Sequence, residues 1–225
     1  MAEINFGFLL IPLQLLDMAG PMDIVGNISH EVISLYGPAE LAKTAPKINF
    51  FHIGPSMEPV QLTGGFKAQP TTTLADCPEL DYLLVGGPSL EYAENLPKDM
   101  RNFIAEQSKT VKSLFTTCTG GLVVAATGVL DGVSATANHT VLDHGREVAP
   151  RVKWNGQKNW VVDGKFWTAA GAVAGMDMMA SWVQQTYGTD LLHFSTMLLE
   201  YQPRDEDGNP VTFMNGRGEV VRVSR

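Results

Sequence analysis

Cysteine is scarce in this chain of 225 residues: Cys77 and Cys118 are the only two. Two cysteines build no disulfide framework, and no C-x-x-C or Cys/His cluster has metal-ligand spacing. Basic residues are also few. Sixteen Lys and Arg stand against 24 Asp and Glu, a formal net charge of −8. That balance argues against a nucleic-acid or anionic-membrane surface, since both need a basic footprint. It suits a neutral or weakly polar small molecule. The N-terminal stretch MAEINFGFLLIPLQLLDMAGP is apolar but lacks a basic leader and is broken by Pro12, Asp17 and Pro21. It reads as a core strand plus a loop, not as a signal peptide or membrane span. A cytosolic address is the default expectation. Internal repeats and low-complexity linkers are absent.

What is present is enough for a core. The chain is 44% hydrophobic, and an α/β domain of this size buries about 70–75% of its unfolded surface without help from disulfides. Short β-type runs alternate with helical patterns. Ile4–Ile11 is a nearly continuous apolar run, the mark of a strand covered on both faces. Residues 21–35 read as a helix with Pro21 at an N1-like position. Lys47–Ile53 is a second strand. Gly64-Gly65 turns a hairpin between VQLT and FKAQ. Tyr82–Val85 is a buried strand ending in Gly86-Gly87. Lys98–Lys109 is helical, and Val111–Thr117 is a strand. Gly120–Leu130 reads as a small-residue helix stopped by Asp131-Gly132, and Thr140–Val148 as another. A hairpin turns near Asp163-Gly164, followed by helices at Gly171–Tyr187 and Leu191–Leu199. This alternation predicts a mostly parallel sheet with helices on both faces.

The stretch SLFTTCTGGL, residues 113–122, carries the chemistry. A strand ends at Cys118 and a helix begins directly after it. Such a corner lies at the carboxyl end of the sheet, where open α/β folds bind ligands. The helix N-terminus favours thiolate over thiol, so the expectation is a pKa below the free value of about 8.5. Gly120 removes a side chain where helix and strand must pass closely. The pattern matches the second half of a nucleophile elbow, with Thr116 where the first Gly would stand. Cys77, in LADCPEL, reads as a structural loop thiol.

Four separated segments resemble the DJ-1/PfpI superfamily: QLLDMAGPMDIV, YLLVGGPS, VKSLFTTCTGGLVVAATGVLDGVSATANHT and WTAAGAVAGMDMMASWV. They run in the family's order to about residue 200. The resemblance implies a flavodoxin-like three-layer α/β sandwich, a homodimer, and a reactive cysteine at the elbow. It divides the chain into a single domain, 1–200, and a C-terminal loop and extension, 201–225. Asp in LDxxGP together with Cys-Thr-Gly looks like the isocyanide hydratase branch, although LDxxGP also occurs in DJ-1-like domains of transcription regulators.

Carried over position by position, the resemblance makes Cys118 the nucleophile, Asp17 the acid/base carboxylate, and Thr119 a hydroxyl that positions Asp17 or a water. Gly86 and Gly87 match a loop whose backbone N–H groups face the cysteine. His139, 21 residues after Cys118, stands where several members carry a histidine. The implied reaction converts an isocyanide to an N-substituted formamide and needs no metal or organic cofactor. Plainer roles stay open for each residue. Asp17 is also a natural helix cap, Thr119 a first-turn hydroxyl, Gly86-Gly87 a strand-end turn, and His139 a structural histidine. Other activities stay open as well: a glyoxalase or deglycase acting on 2-oxoaldehydes, or a redox-sensing or chaperone-like dimer. Leu13, Leu15 and Met18 near Asp17 hint at an apolar pocket.

Overall fold

A computed structural model describes residues 3–214 and 220–221. Seven strands form one sheet: β1 (Glu3–Leu9), β2 (Lys47–Gly54), β3 (Thr72–Thr73), β4 (Tyr82–Val85), β5 (Ser113–Thr117), β6 (Trp160–Asp163) and β7 (Phe166–Ala169). Their order is β6-β7-β5-β4-β1-β2-β3. All neighbours pair in parallel except β6 and β7, which form an antiparallel edge hairpin. Its turn uses Gly164 at φ +59°.

From β1 the chain steps to β2 on one side. From β4 it steps to β5 on the other. Right-handed crossovers therefore place α1 (Leu15–Asn27) and α2 (Lys98–Thr110) on opposite faces. The direction reverses between β1 and β4, and that switch point is where open α/β sheets place their ligands. Three more helices matter to the site: α3 (Gly120–Ala125), α4 (Ala172–Tyr187) and α5 (Thr189–Leu198). The side-chain period of two points Phe6, Phe8, Tyr82 and Phe115 to one face. There Phe6, Tyr82 and Phe115 pack edge-on around Trp182 of α4, with ring centroids 4.8–6.0 Å from it. Phe6, Phe8 and Phe115 are fully buried.

Two helical expectations change. The helix expected at 21–35 is two helices. The first, α1, starts at Leu15, so Asp17 lies in its first turn and Pro21 inside it. The second spans His30–Tyr36, and Ser29 caps it by accepting the Val32 N–H at 3.4 Å. The helix expected at 120–130 ends at Ala125, after which turns carry the chain through Gly128 and Gly132, both at positive φ. The Gly64-Gly65 hairpin, the Tyr82–Val85 strand and the helices near 98–109 and 171–187 stand where expected.

The segment after α5 returns to the domain. Asp177 of α4 is 1% exposed. It accepts the Tyr201 hydroxyl, the Arg204 backbone N–H at 2.9 Å, and the Arg204 guanidinium at 3.0 and 2.8 Å. Farther on, Lys158 pairs with Asp207 at 2.7 Å, and the Asn159 N–H donates to the Glu206 carbonyl at 2.9 Å. Of the extension expected over 201–225, residues 215–219 and 222–225 lie outside the described residues.

Candidate active site

Cys118 caps β5 with φ +55°, in the left-handed region. A non-glycine residue there costs about 1–2 kcal/mol. The backbone is pinned on both sides: the Cys118 N–H donates to the Ala169 carbonyl at 3.0 Å, and its carbonyl accepts the Asn138 N–H at 3.2 Å. Two residues on, a Cβ on Gly120 would overlap the Val85 carbonyl oxygen and sit 3.0 Å from that of Gly86. Glycine at this position lets α3 begin directly over the end of β4.

The loop after β4 threads between Cys118 and Asp17. A Cβ on Gly86 would lie 3.2 Å from Asp17 Cβ, and one on Gly87 would lie 2.9 Å from Cys118 Cβ. Two side chains less in this loop are what let the carboxyl and the thiol approach from either side. The loop is tied in place by Gln14 N–H to the Gly87 carbonyl at 3.0 Å and by Thr119 Oγ1–H to the Pro88 carbonyl at 2.5 Å.

The Gly87 N–H donates to Asp17 Oδ2 at 3.0 Å. The expectation that the Gly87 amide faces the cysteine is thereby corrected: it holds the carboxylate instead. Asp17 itself is fully buried, and its Oδ1 has no partner. The capping alternative does not apply, because Gln14 holds the N-cap position, Asp17 lies inside the first turn, and its carboxyl accepts the Gly87 N–H rather than one from its own helix. Burial pushes the Asp17 carboxyl up to about 7, against the downward pull of the Gly87 amide.

The cysteine departs from its sequence-based expectation. Burial raises the Cys118 thiol, and the negative charge of Asp17 raises it further. Hydrogen bonds from Asn138 and from Thr119 oppose both without overcoming them. The helix dipole invoked from sequence belongs to a six-residue helix, whereas desolvation and a carboxylate are near the sulfur itself. The resting sulfur is therefore a thiol, and a proton must leave it before or during attack.

Asn138 is the residue that sequence reasoning missed. Its Nδ2 donates to Cys118 Sγ at 3.3 Å. Its Oδ1 accepts the Thr140 N–H at 3.1 Å and the Thr140 hydroxyl at 2.7 Å, so the amide is oriented with its donor toward sulfur. The signal was position: Asn138 stands one residue before the histidine that drew attention. His139 itself places Nε2 3.1 Å from the Lys158 carbonyl, a structural tie. Leu13 and Met18 lie in the core, at 0% and 4% exposure, so neither opens a pocket, while Leu15 is half-buried. Cys77 is a half-buried loop thiol that burial pushes up to about 11. Among the described residues no group of three or more His, Cys, Asp or Glu is placed to hold a metal ion, and no helix is long and apolar enough to cross a membrane. A separate cavity of about 350 Å³, with the Glu94–His144 contact of 2.9 Å on its wall, is lined by Leu122 of α3 but by none of Asp17, Gly87, Cys118, Thr119 and Asn138.

Comparison with known proteins follows the same lines. The model of the DJ-1/PfpI family matches residues 29–185, a span that contains Cys118 and begins after Asp17. Isonitrile hydratase of Pseudomonas putida is 30% identical over 218 residues, 93% of this chain and 84% of that protein. The HTH-type transcriptional regulator GbdR of Pseudomonas aeruginosa is 25% identical over 165 residues, 71% of this chain but 44% of the regulator. Among solved structures, a ThiJ/PfpI family protein from Pseudomonas syringae superposes with a TM-score of 0.75 at 22% identity, over 90% of this chain and 77% of that one.

Proposed function

The chain belongs to the DJ-1/PfpI family, and on that premise we propose that it hydrates an isocyanide to an N-substituted formamide, with Cys118 as nucleophile and Asp17 as proton carrier. The observation that carries the proposal is the pairing around Gly87. A fully buried carboxyl that titrates near 7 stands beside a thiol that keeps its proton. A carrier of that pKa can both accept and return a proton at neutral pH.

The terminal carbon of R–N≡C takes the sulfur. As the S–C bond forms, Asp17 receives the thiol proton and passes it to the same carbon, giving the thioimidate R–N=CH–S–Cys118. Asp17 then draws a proton from water as the water oxygen bonds to that carbon and the proton passes to nitrogen. Breaking the C–S bond expels the sulfur, which recovers a proton as the C=O bond forms, leaving R–NH–CHO and the thiol. One isocyanide and one water are consumed, and the enzyme returns unchanged. Asn138 and the Thr119 amide stabilise the charge that develops on sulfur as it departs. A small apolar substrate, a homodimer and a cytosolic address belong to the same reading.

Formamide production from an aryl isocyanide is the direct assay. Cys118→Ala is expected to abolish it. Turnover retained by that variant, or lactate formed from methylglyoxal in place of formamide, would overturn the proposal. The redox-sensing alternative gains no support here, because oxidation-prone sensors keep a low-pKa thiolate and this thiol is raised.

A further inference from the structure

In a regular helix the Asp17 carbonyl would accept the backbone N–H of residue 21. Proline stands there, inside α1, and has no N–H to give. The orphaned carbonyl is served from another element: Thr117, the last residue of β5, donates its hydroxyl to the Asp17 oxygen at 3.1 Å. Thr117 is fully buried. Its neighbour Thr116 is equally buried, yet its hydroxyl has no partner. A hydroxyl on this strand is therefore not bonded as a matter of course. Space for the contact comes from α4, where a Cβ on Gly175 would overlap Thr117 Cγ2 and lie 3.8 Å from Pro21 Cγ.

We infer that Thr117 is a positioning residue for Asp17: its hydroxyl replaces the helical hydrogen bond that Pro21 deletes and thereby locks the turn carrying the carboxyl group to the strand carrying the nucleophile. The inference rests on Asp17 and Cys118 being the reactive pair. It adds that the distance between them is set by a side chain adjacent to the cysteine, substituting for missing backbone.

The test uses Thr117→Val, Thr117→Ser and the double variant Thr117→Val/Pro21→Ala. Valine keeps the shape and removes the donor. Serine keeps the donor. The double variant restores a backbone N–H at position 21 to the same carbonyl. Two quantities are read: the pH profile of Cys118 alkylation by iodoacetamide, which senses the charge on Asp17, and kcat and KM for formamide production. Thr117→Val is expected to displace the inflection near pH 7 that Asp17 imposes, and to lower kcat about three- to tenfold, the worth of one hydrogen bond, with KM unchanged. Thr117→Ser should match the parent, and Pro21→Ala should rescue the valine variant in both readouts, or in folding if the single variant fails to fold. An alkylation profile of folded Thr117→Val that superimposes on the parent would overturn the inference, as would a double variant no better than the single one. Should the parent make no formamide, the hydration reading fails alone, and the alkylation profiles still decide the role of Thr117.

Discussion

A carboxyl group sealed from water with one oxygen unpartnered is a burden on the folded state. Below about pH 4 the Asp17 carboxyl carries a proton whether the chain is folded or not, so it contributes no pH dependence. Between its ordinary value of 3.8 and about 7, the unfolded chain loses the proton while the folded one keeps it. The unfolded state then binds fewer protons, and native stability falls as pH rises through that window. Above it the penalty levels off at about 4 kcal/mol as an upper bound, from three pKa units at about 1.4 kcal/mol each. Asp17→Asn removes the ionisation but leaves an amide without a partner at the Oδ1 position, a fixed cost of about 1–3 kcal/mol. Urea unfolding at pH 5 and pH 8.5 is expected to show the variant gaining on the parent by up to about 2–3 kcal/mol between the two, while its turnover drops by orders of magnitude. Parallel pH dependence in both proteins would mean that Asp17 is not held protonated. This residue's place at the site could be anticipated from LDxxGP, but its pKa could not, since desolvation belongs to the packed molecule. Cys118 shows the same limit: a local argument from the helix terminus gave one sign, and burial with Asp17 gave the other.

Among the elements, the strand-to-helix corner depends on what is missing from it. A methyl group on Gly120 would run into backbone carbonyls of Val85 and Gly86, which have little freedom to yield. Gly120→Ala is expected to destabilise by about 1–3 kcal/mol by overpacking, read as a lower urea midpoint, and to reduce Cys118 turnover more than it affects the fold. An unchanged midpoint would show that β4 and α3 can part. The corner, the β4 strand and the Gly-Gly loop were legible because glycine and β-branched residues mark them locally. α1 was misread for an equally physical reason. Proline normally opens a helix, and its tolerance inside this one depends on Thr117, a hundred positions away from Asp17 in sequence. The Asn138 contact with sulfur escaped for a related reason, since the strand and turn that aim it lie twenty residues beyond the cysteine.

For the molecule as a whole, the segment after α5 is part of the fold. Asp177 gathers Tyr201 and Arg204 onto α4 through four hydrogen bonds. Asp177→Ala is expected to cost about 2–4 kcal/mol, less than the loss of a wholly buried pair because Arg204 is partly exposed. It should also expose the chain near Arg204 to trypsin, and a variant as resistant as the parent would show that other contacts hold the segment. The general architecture followed from alternation and the order of motifs. The strap did not, because PRDEDGNP has the composition of a free loop, and its anchor is one acid buried on a methionine-rich helix.

That strap reaches further than its position suggests. Glu206 receives the Asn159 N–H, Asn159 receives that of Ala170, and the carbonyl just before Ala170 receives the N–H of Cys118. Glu206 and Cys118 are thus remote along the polymer and near neighbours through the amide lattice. Substitutions in the 203–209 stretch that loosen it are therefore expected to alter the rate of Cys118 alkylation, although none of those residues touches the sulfur.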